Sequence, residues 1–193
     1  MKKILIGTLL ASFVALPALA DLQPGATAPD FTAPASLNGK SLQFSLKETL
    51  KKGPVVVYFF PGAYTNGCNL QAYTFASNID KFAAAGATVV GVSLDKIERL
   101  NEFSADPAYC AGKFATVSDA DGAIAKAYDL EVATRVGMKD TQGKDIDHGF
   151  AERSTFIVTP DNKVAFTIGG VAPVANVEAA LKAVEGLTGK KAQ

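Results

Sequence analysis

The chain has 193 residues, with 19 Lys plus Arg, 19 Asp plus Glu, one His, two Cys and no Trp. Its apolar share of 48% and charged share of 20% leave room for one domain with a proper core and exclude wholesale disorder. A net charge of zero gives no support for a nucleic-acid or anionic-membrane partner, and one His with two Cys cannot build a histidine cluster or a multi-cysteine zinc site.

Lys2 and Lys3 open the chain, and residues 4–16 are almost wholly apolar. Pro17 follows, and Ala18-Leu19-Ala20 has the small-x-small form of a signal-peptidase site. The pattern predicts a secretory signal over residues 1–20, cleaved after Ala20. The apolar stretch is too short for a comfortable membrane span. Cleavage would leave 173 residues with 17 basic and 19 acidic side chains, a net charge of −2. The expected product is one soluble domain over residues 21–193 with no membrane attachment. The short signal and its two lysines point to a bacterial periplasm, where a disulfide is chemically allowed.

Residues 21–36 are rich in Pro, Ala and Thr and read as an extended lead-in. Asn38-Gly39-Lys40 signals a turn, and residues 41–46 a short strand. The apolar runs 55–60 (VVVYFF) and 87–93 (ATVVGVS) predict strands buried on both faces. Between them, Leu70, Tyr73, Ala76, Ile79 and Phe82 or Ala83 recur at helical spacing over 69–85, and Gly86 closes that helix. Strand, helix and strand in this order imply a parallel pair.

A second helix is expected over 95–105, opened by an Asp95 cap and broken at Asp106-Pro107. A strand at 114–117, a short helix at 121–128 and a polar loop excursion over 131–152 follow. Residues 153–159 and 164–168 flank Pro160-Asp161-Asn162-Lys163, a hairpin signal. The closing helix over 174–187 carries Val174, Val177, Leu181, Val184 and Leu187 at amphipathic spacing. The elements predict an α/β fold: a central mixed sheet, parallel in its first half and antiparallel in its last, with helices on both faces.

The chemistry concentrates at residues 61–68, Pro-Gly-Ala-Tyr-Thr-Asn-Gly-Cys. Cys68 lies at the carboxyl end of a buried strand and in the first turn of the following helix. Open α/β sheets gather ligands at strand carboxyl ends. The unpaired N–H groups of a helix start favour a thiolate over a thiol. Thr65 can bring a hydroxyl to the sulfur, and Pro61 stiffens the turn. A small buried hydrophobe is the competing reading of Cys68, and position alone does not separate the two.

The wording does. Pro61, Thr65 and Cys68 match the three fixed places of Pro-x-x-x-Thr-x-x-Cys, the active-site signature of the peroxiredoxins, the alkyl hydroperoxide reductase and thiol-specific antioxidant superfamily. Residues 153–158 (RSTFIV) resemble the strand that carries that family's active-site arginine, and residues 89–95 and 118–128 resemble family blocks in the same order. The resemblance spans about 22–187 and is strongest to the bacterioferritin-comigratory, or peroxiredoxin Q, group. Three positions depart from that group's usual wording: Asn66 replaces a proline, Asn69 a threonine and Gln71 a glutamate. The Pro-Gly-Ala-Tyr-Thr wording leans towards the peroxiredoxin 5-like branch.

This resemblance implies a thioredoxin-like fold and a thiol peroxidase that needs no metal or organic cofactor. It implies that Cys68 attacks the peroxide, that Arg153 stabilises thiolate and peroxide oxygens, that Thr65 and backbone N–H groups bind the same atoms, and that Pro61 shields the sulfur. It implies hydrogen peroxide or an organic hydroperoxide as substrate, a thioredoxin-like protein or small thiol as reductant, and a monomer or homodimer. Cys110 is then the resolving cysteine, with a buried free thiol or a permanent structural disulfide as the alternatives. A thiol–disulfide oxidoreductase is disfavoured, because Gln71 stands where its second cysteine would be. His148 reads as a lone surface histidine, Tyr64 and Phe60 as pocket wall or core, and Gln71 as hydrogen-bond partner or solvated residue.

Overall fold

In the computed structural model, which describes residues 21–189, the chain forms β1 (Thr32–Leu37), β2 (Lys40–Ser45), α1 (Leu46–Leu50), β3 (Val55–Phe59), α2 (Asn66–Ala84), β4 (Thr88–Ser93), α3 (Ile97–Ala105), β5 (Ala115–Ser118), α4 (Ala123–Ala127), β6 (Val132–Ala133), β7 (Phe150–Ala151), β8 (Ser154–Val158), β9 (Val164–Gly169) and α5 (Pro173–Thr188). The predicted export signal and its cleavage point lie outside the described residues. Seven strands make one sheet in the order β2-β1-β5-β4-β3-β8-β9. The β3–β4 and β4–β5 pairs are parallel, and the four remaining pairs are antiparallel.

Strand alternation divides the core in two. Val55, Val57, Phe59, Val90 and Val92 face one side, with Phe31, Leu46, Leu50 and Tyr128. Val56, Tyr58, Phe60 and Val89 face the other, against α2, α3 and α5. Every residue of β3 is buried, as expected for a central strand covered on both faces. Tyr58 pairs with Gly91 across the parallel ladder, and its ring lies over that glycine. A Cβ at position 91 would fall 2.7 Å from Tyr58 Cζ, so the ring's place requires the glycine. Gly86, at φ +82°, ends α2 in the left-handed cap expected of it.

Several expectations need correction. The lead-in ends in a true strand, β1, and five-residue α1 was not anticipated. Such short elements carry too little periodicity to read. Asp95 does not cap α3, which starts two residues later with Lys96 at the cap. The excursion 131–152 contains the β6–β7 pair and a bridge between Lys139 and Asp145. The buried faces of the two long helices also differ from the apolar stripes. In α2, Leu70 and Tyr73 are 47% and 55% exposed, and the buried face carries Cys68, Gln71, Ala72, Phe75, Ala76 and Phe82. In α5 the buried face is Asn176, Val177, Ala180 and Val184. Ala76, Phe82, Val177 and Val184 of the expected stripes are buried, but Leu70, Tyr73 and Leu187 stay exposed while Phe75, Gln71 and Asn176 take buried places.

Candidate active site

Strand β3 delivers the chain to Phe60, whose N–H still donates to Val92 O at 3.0 Å. Pro61 has no N–H and cannot extend the ladder, so the chain turns. Tyr64 adopts a φ of +58°, unfavourable for a bulky residue. Its surroundings hold it there. Its carbonyl accepts from both the N–H and the hydroxyl of Thr141, each at 2.8 Å. Its ring packs on Phe103 and Tyr109, with the Arg99 guanidinium 4.0 Å from its centroid. Burial, reinforced by the Asp106 carboxylate, pushes the Tyr64 phenol up to about 12.

Thr65 takes extended backbone angles as the N-cap, and α2 begins so that Cys68 is its third residue. The N–H groups of a helix's first turn have no intrahelical acceptor and carry its positive partial charge. Cys68 is only 1% exposed. Arg153, the residue before β8, reaches it across the sheet end. Arg153 Nη2 donates to Cys68 Sγ at 3.4 Å, and Nη1 donates to Gln71 Oε1. Gly67 makes this approach possible: a Cβ there would stand 3.1 Å from Arg153 Nη2.

Behind the guanidinium lies a buried chain of amides. Gln71 has no exposed surface, and its Nε2 donates to Asn176 Oδ1 at 3.0 Å. The same oxygen accepts the Thr155 hydroxyl at 2.6 Å, while Asn176 Nδ2 donates to Ile168 O at 3.0 Å. In front lies a groove of about 350 Å³, lined by Pro61, Ala133, Arg135, Phe150 and Arg153 among others. Arg153 therefore borders both the groove and the sulfur. A thiolate at Cys68 has a fixed cation and oriented helix dipoles beside it, and a small molecule in the groove meets the same cation.

The sequence profile of the AhpC/TSA family matches residues 24–167. The chain belongs to that family. Peroxiredoxin Bcp of Xanthomonas campestris is 31% identical over 162 residues, covering 84% of this chain and 92% of that protein. The crystal structure of peroxidoxin BcpB from Mycobacterium tuberculosis superposes with a TM-score of 0.72 at 26% identity, covering 86% of this chain and 98% of that one. A structure of the Xanthomonas campestris bacterioferritin comigratory protein, studied for alkyl peroxide reduction, has a TM-score of 0.64 at 29% identity over 80% and 91% of the two chains. The protein is thus a peroxiredoxin of the bacterioferritin-comigratory group, a thiol peroxidase with the thioredoxin-like fold.

In this peroxiredoxin Arg153 meets Cys68, and Pro61 lines the groove that Arg153 also lines. Thr65 is in place, but its hydroxyl donates to Gly62 O at 3.0 Å and not to the sulfur. Its oxygen keeps lone pairs that can accept from a peroxide O–H. Cys110 lies in the turn after α3, fully buried in the same core as Cys68, and both thiols are free. Burial, reinforced by the Asp106 carboxylate, pushes the Cys110 thiol far above its ordinary value.

Four further residues, Gln71, His148, Asp95 and Asn176, belong to the site's support. Gln71 is a buried partner of Arg153, so the solvated reading fails. His148 is not a lone surface residue: Nε2 lies 3.1 Å from Asp95 Oδ1 and Nδ1 2.7 Å from Gly149 O. The other Asp95 oxygen accepts the Ala63 N–H and the Ser93 hydroxyl, each at 2.8 Å, and so ties down the Pro61–Cys68 loop. A signal for Asp95 existed, since it follows a buried strand at its carboxyl end. Asn176 left only a faint one, a polar residue beside the apolar positions of α5.

Proposed function

We propose that this peroxiredoxin reduces hydrogen peroxide and organic hydroperoxides in a bacterial periplasm, with Cys68 as the peroxidatic thiolate and Cys110 as its intramolecular resolving partner. The observation that carries the first half is the Arg153 Nη2 contact to Cys68 Sγ at the start of α2. The thiolate attacks one peroxide oxygen, forming an S–O bond as the O–O bond breaks. Sulfur is oxidised by two electrons to a sulfenic acid, and the departing oxygen takes a proton and leaves as water or an alcohol. Negative charge spreads over sulfur and both oxygens in the transition state, where Arg153 and the first-turn N–H groups can follow it. Phe150, Ala133 and Ala151 in the groove suit an organic substituent.

In the second step the Cys110 thiol attacks the sulfenic sulfur, releasing water and closing a disulfide. The Cys110 turn supports this reading. It is held by bonds to its own residues and to the end of α3: Ala111 N to Asp106 O at 2.9 Å and Gly112 N to Ser104 O at 2.8 Å. Ala111 sits at a φ of +51°, a left-handed conformation unfavourable for alanine. A turn held so locally opens at lower cost than the sheet beneath it. An external dithiol then returns two electrons, and a thioredoxin-like protein or a small thiol suits that role in an exported compartment. Residues 1–20 support the export assignment by sequence pattern.

The test is mass spectrometry after one equivalent of hydrogen peroxide, on the parent protein and on Cys110→Ser. The parent should lose the mass of two hydrogen atoms as both thiols disappear. Cys110→Ser should gain one oxygen at Cys68, trapped by dimedone. Sulfenic acid that accumulates equally in both would remove Cys110 from the cycle.

A further inference from the structure

We infer that Asn176 is a positioning residue for the peroxidatic centre: it fixes which end of the Gln71 amide faces Arg153, and through that the guanidinium that holds the Cys68 sulfur. The inference deepens the peroxidase reading and rests on it for the roles of Cys68 and Arg153.

The two ends of a side-chain amide differ only in hydrogen-bond polarity, so their partners decide the orientation. Ile168 O is a main-chain carbonyl and can only accept. The Asn176 atom 3.0 Å from it must therefore be the amide nitrogen. That leaves Asn176 Oδ1 pointing inward, where it accepts the Thr155 hydroxyl and Gln71 Nε2. Gln71 then has its nitrogen on α5 and its oxygen towards Arg153, whose Nη1 can only donate. With Nη1 held, Nη2 is left to donate to Cys68 Sγ. Each step has one permitted direction, and the sequence begins at a β9 carbonyl and ends at the reacting sulfur.

The arrangement matters because the partner of Arg153 is an amide. A carboxylate at position 71 would offer acceptors on both oxygens and would need no orienting neighbour. Gln71 has one acceptor and one donor group, and reversing it would aim N–H groups at a guanidinium. Asn176 and Gln71 have no exposed surface, so water does not restore a lost partner at low cost. Thr155 shares the same oxygen but cannot by itself set the direction of the amide, since a hydroxyl can rotate to donate or accept.

A double-variant cycle in a Cys110→Ser background tests this. Two quantities are read: the pH profile of Cys68 alkylation by iodoacetamide, and kcat/KM for hydrogen peroxide with a small thiol as reductant in place of Cys110. Asn176→Leu keeps the branched heavy-atom shape and removes the polarity. It should move the alkylation profile to higher pH and lower kcat/KM about tenfold, the size of one lost charge-assisted bond. In Gln71→Glu the same Asn176→Leu change should have little effect on either quantity, because the orienting task no longer exists. Equal losses in both backgrounds, or a fall in melting temperature with an unmoved alkylation profile, would overturn the inference.

A measurement on the unaltered protein covers the case in which Asn176→Leu does not fold. The Gln71 side-chain amide protons should exchange slowly and show NMR contacts to Asn176. Contacts to the Arg153 guanidinium in their place would reverse the assigned direction and end the proposal. Failure of the peroxidase reading is distinguishable, because it removes hydrogen peroxide turnover from every variant while alkylation and the amide contacts still report on Asn176.

Discussion

The two thiols of this protein are equally hidden, at 1% and 0% exposure, yet their surroundings differ in kind. Cys68 stands at a helix start with a guanidinium nitrogen 3.4 Å away and a directed line of amides behind that cation. Cys110 shares its core with Phe60, Phe103 and Phe114, and burial, together with the Asp106 carboxylate, keeps its thiol protonated. Burial therefore does not rank the two sulfurs. What ranks them is whether the protein supplies donors to the charged form, because an unpaired buried charge costs far more than a paired and hydrogen-bonded one.

The strongest test of that contrast is Cys68→Ser. If only Cys68 has an environment suited to a thiolate, peroxide consumption with a dithiol reductant should fall by on the order of 10⁴-fold, as expected on removing a nucleophile. Residual turnover through Cys110 within tenfold of the parent would break the comparison. Arg153→Leu should come next, with kcat/KM falling about 100-fold, the usual consequence of losing one transition-state donor. Its alkylation rate at neutral pH should fall with it, which separates loss of thiolate from loss of substrate binding.

Much of the fold was legible because its long elements have strong local signatures. Residues 55–60 and 87–93 announced central strands by unbroken apolar content, and Gly86 marked the end of α2. The Pro61, Thr65 and Cys68 spacing is local and therefore legible, and it marks the turn from β3 into α2. The faces of α2 and α5 were legible in part: Ala76, Phe82, Val177 and Val184 are buried as expected, but an apolar stripe gives no weight to amides such as Gln71 and Asn176. In the folded protein Leu70 and Tyr73 stay exposed while Cys68, Gln71, Phe75 and Asn176 take the contact. The supports of the site were illegible for a related reason. Asp95, His148, Gln71 and Asn176 meet across 32 to 105 positions of sequence separation, and no local pattern encodes such meetings.

Gly67→Ala sharpens the comparison without removing any reacting group. The added methyl would sit 3.1 Å from Arg153 Nη2 and 3.5 Å from Pro173 Cγ, so the guanidinium must retreat by a few tenths of an ångström. Misplacement on that scale should lower kcat/KM about three- to tenfold. Alanine suits a helix better than glycine, so the melting temperature should hold or rise. Activity and stability moving in opposite directions would identify donor placement as the difference between the two thiols. A fall in both would indicate a disrupted helix start.

The smallest expected effect concerns the tether that only the Cys68 loop possesses. His148 Nδ1 faces the Gly149 carbonyl and Nε2 faces the Asp95 carboxylate, so both ring nitrogens are placed to donate and the imidazolium is the form that satisfies both. Burial alone would lower its pKa; the Asp95 carboxylate and the Gly149 carbonyl outweigh it and hold the pKa above the ordinary value. A basic group raised in the folded state contributes stability that is fully present below its unfolded pKa of about 6.5. That stability is lost as pH rises through the folded value. The parent should therefore melt about 2–4 °C lower at pH 8.5 than at pH 6, beyond any change shared with His148→Gln. The variant keeps a donor for Asp95 but no titrating charge, so its own curve should be the flatter of the two. If the two proteins track each other across that range, the Ala63 tether does not depend on the imidazolium. The Cys68 loop would then be held by the Asp95 hydrogen bonds alone.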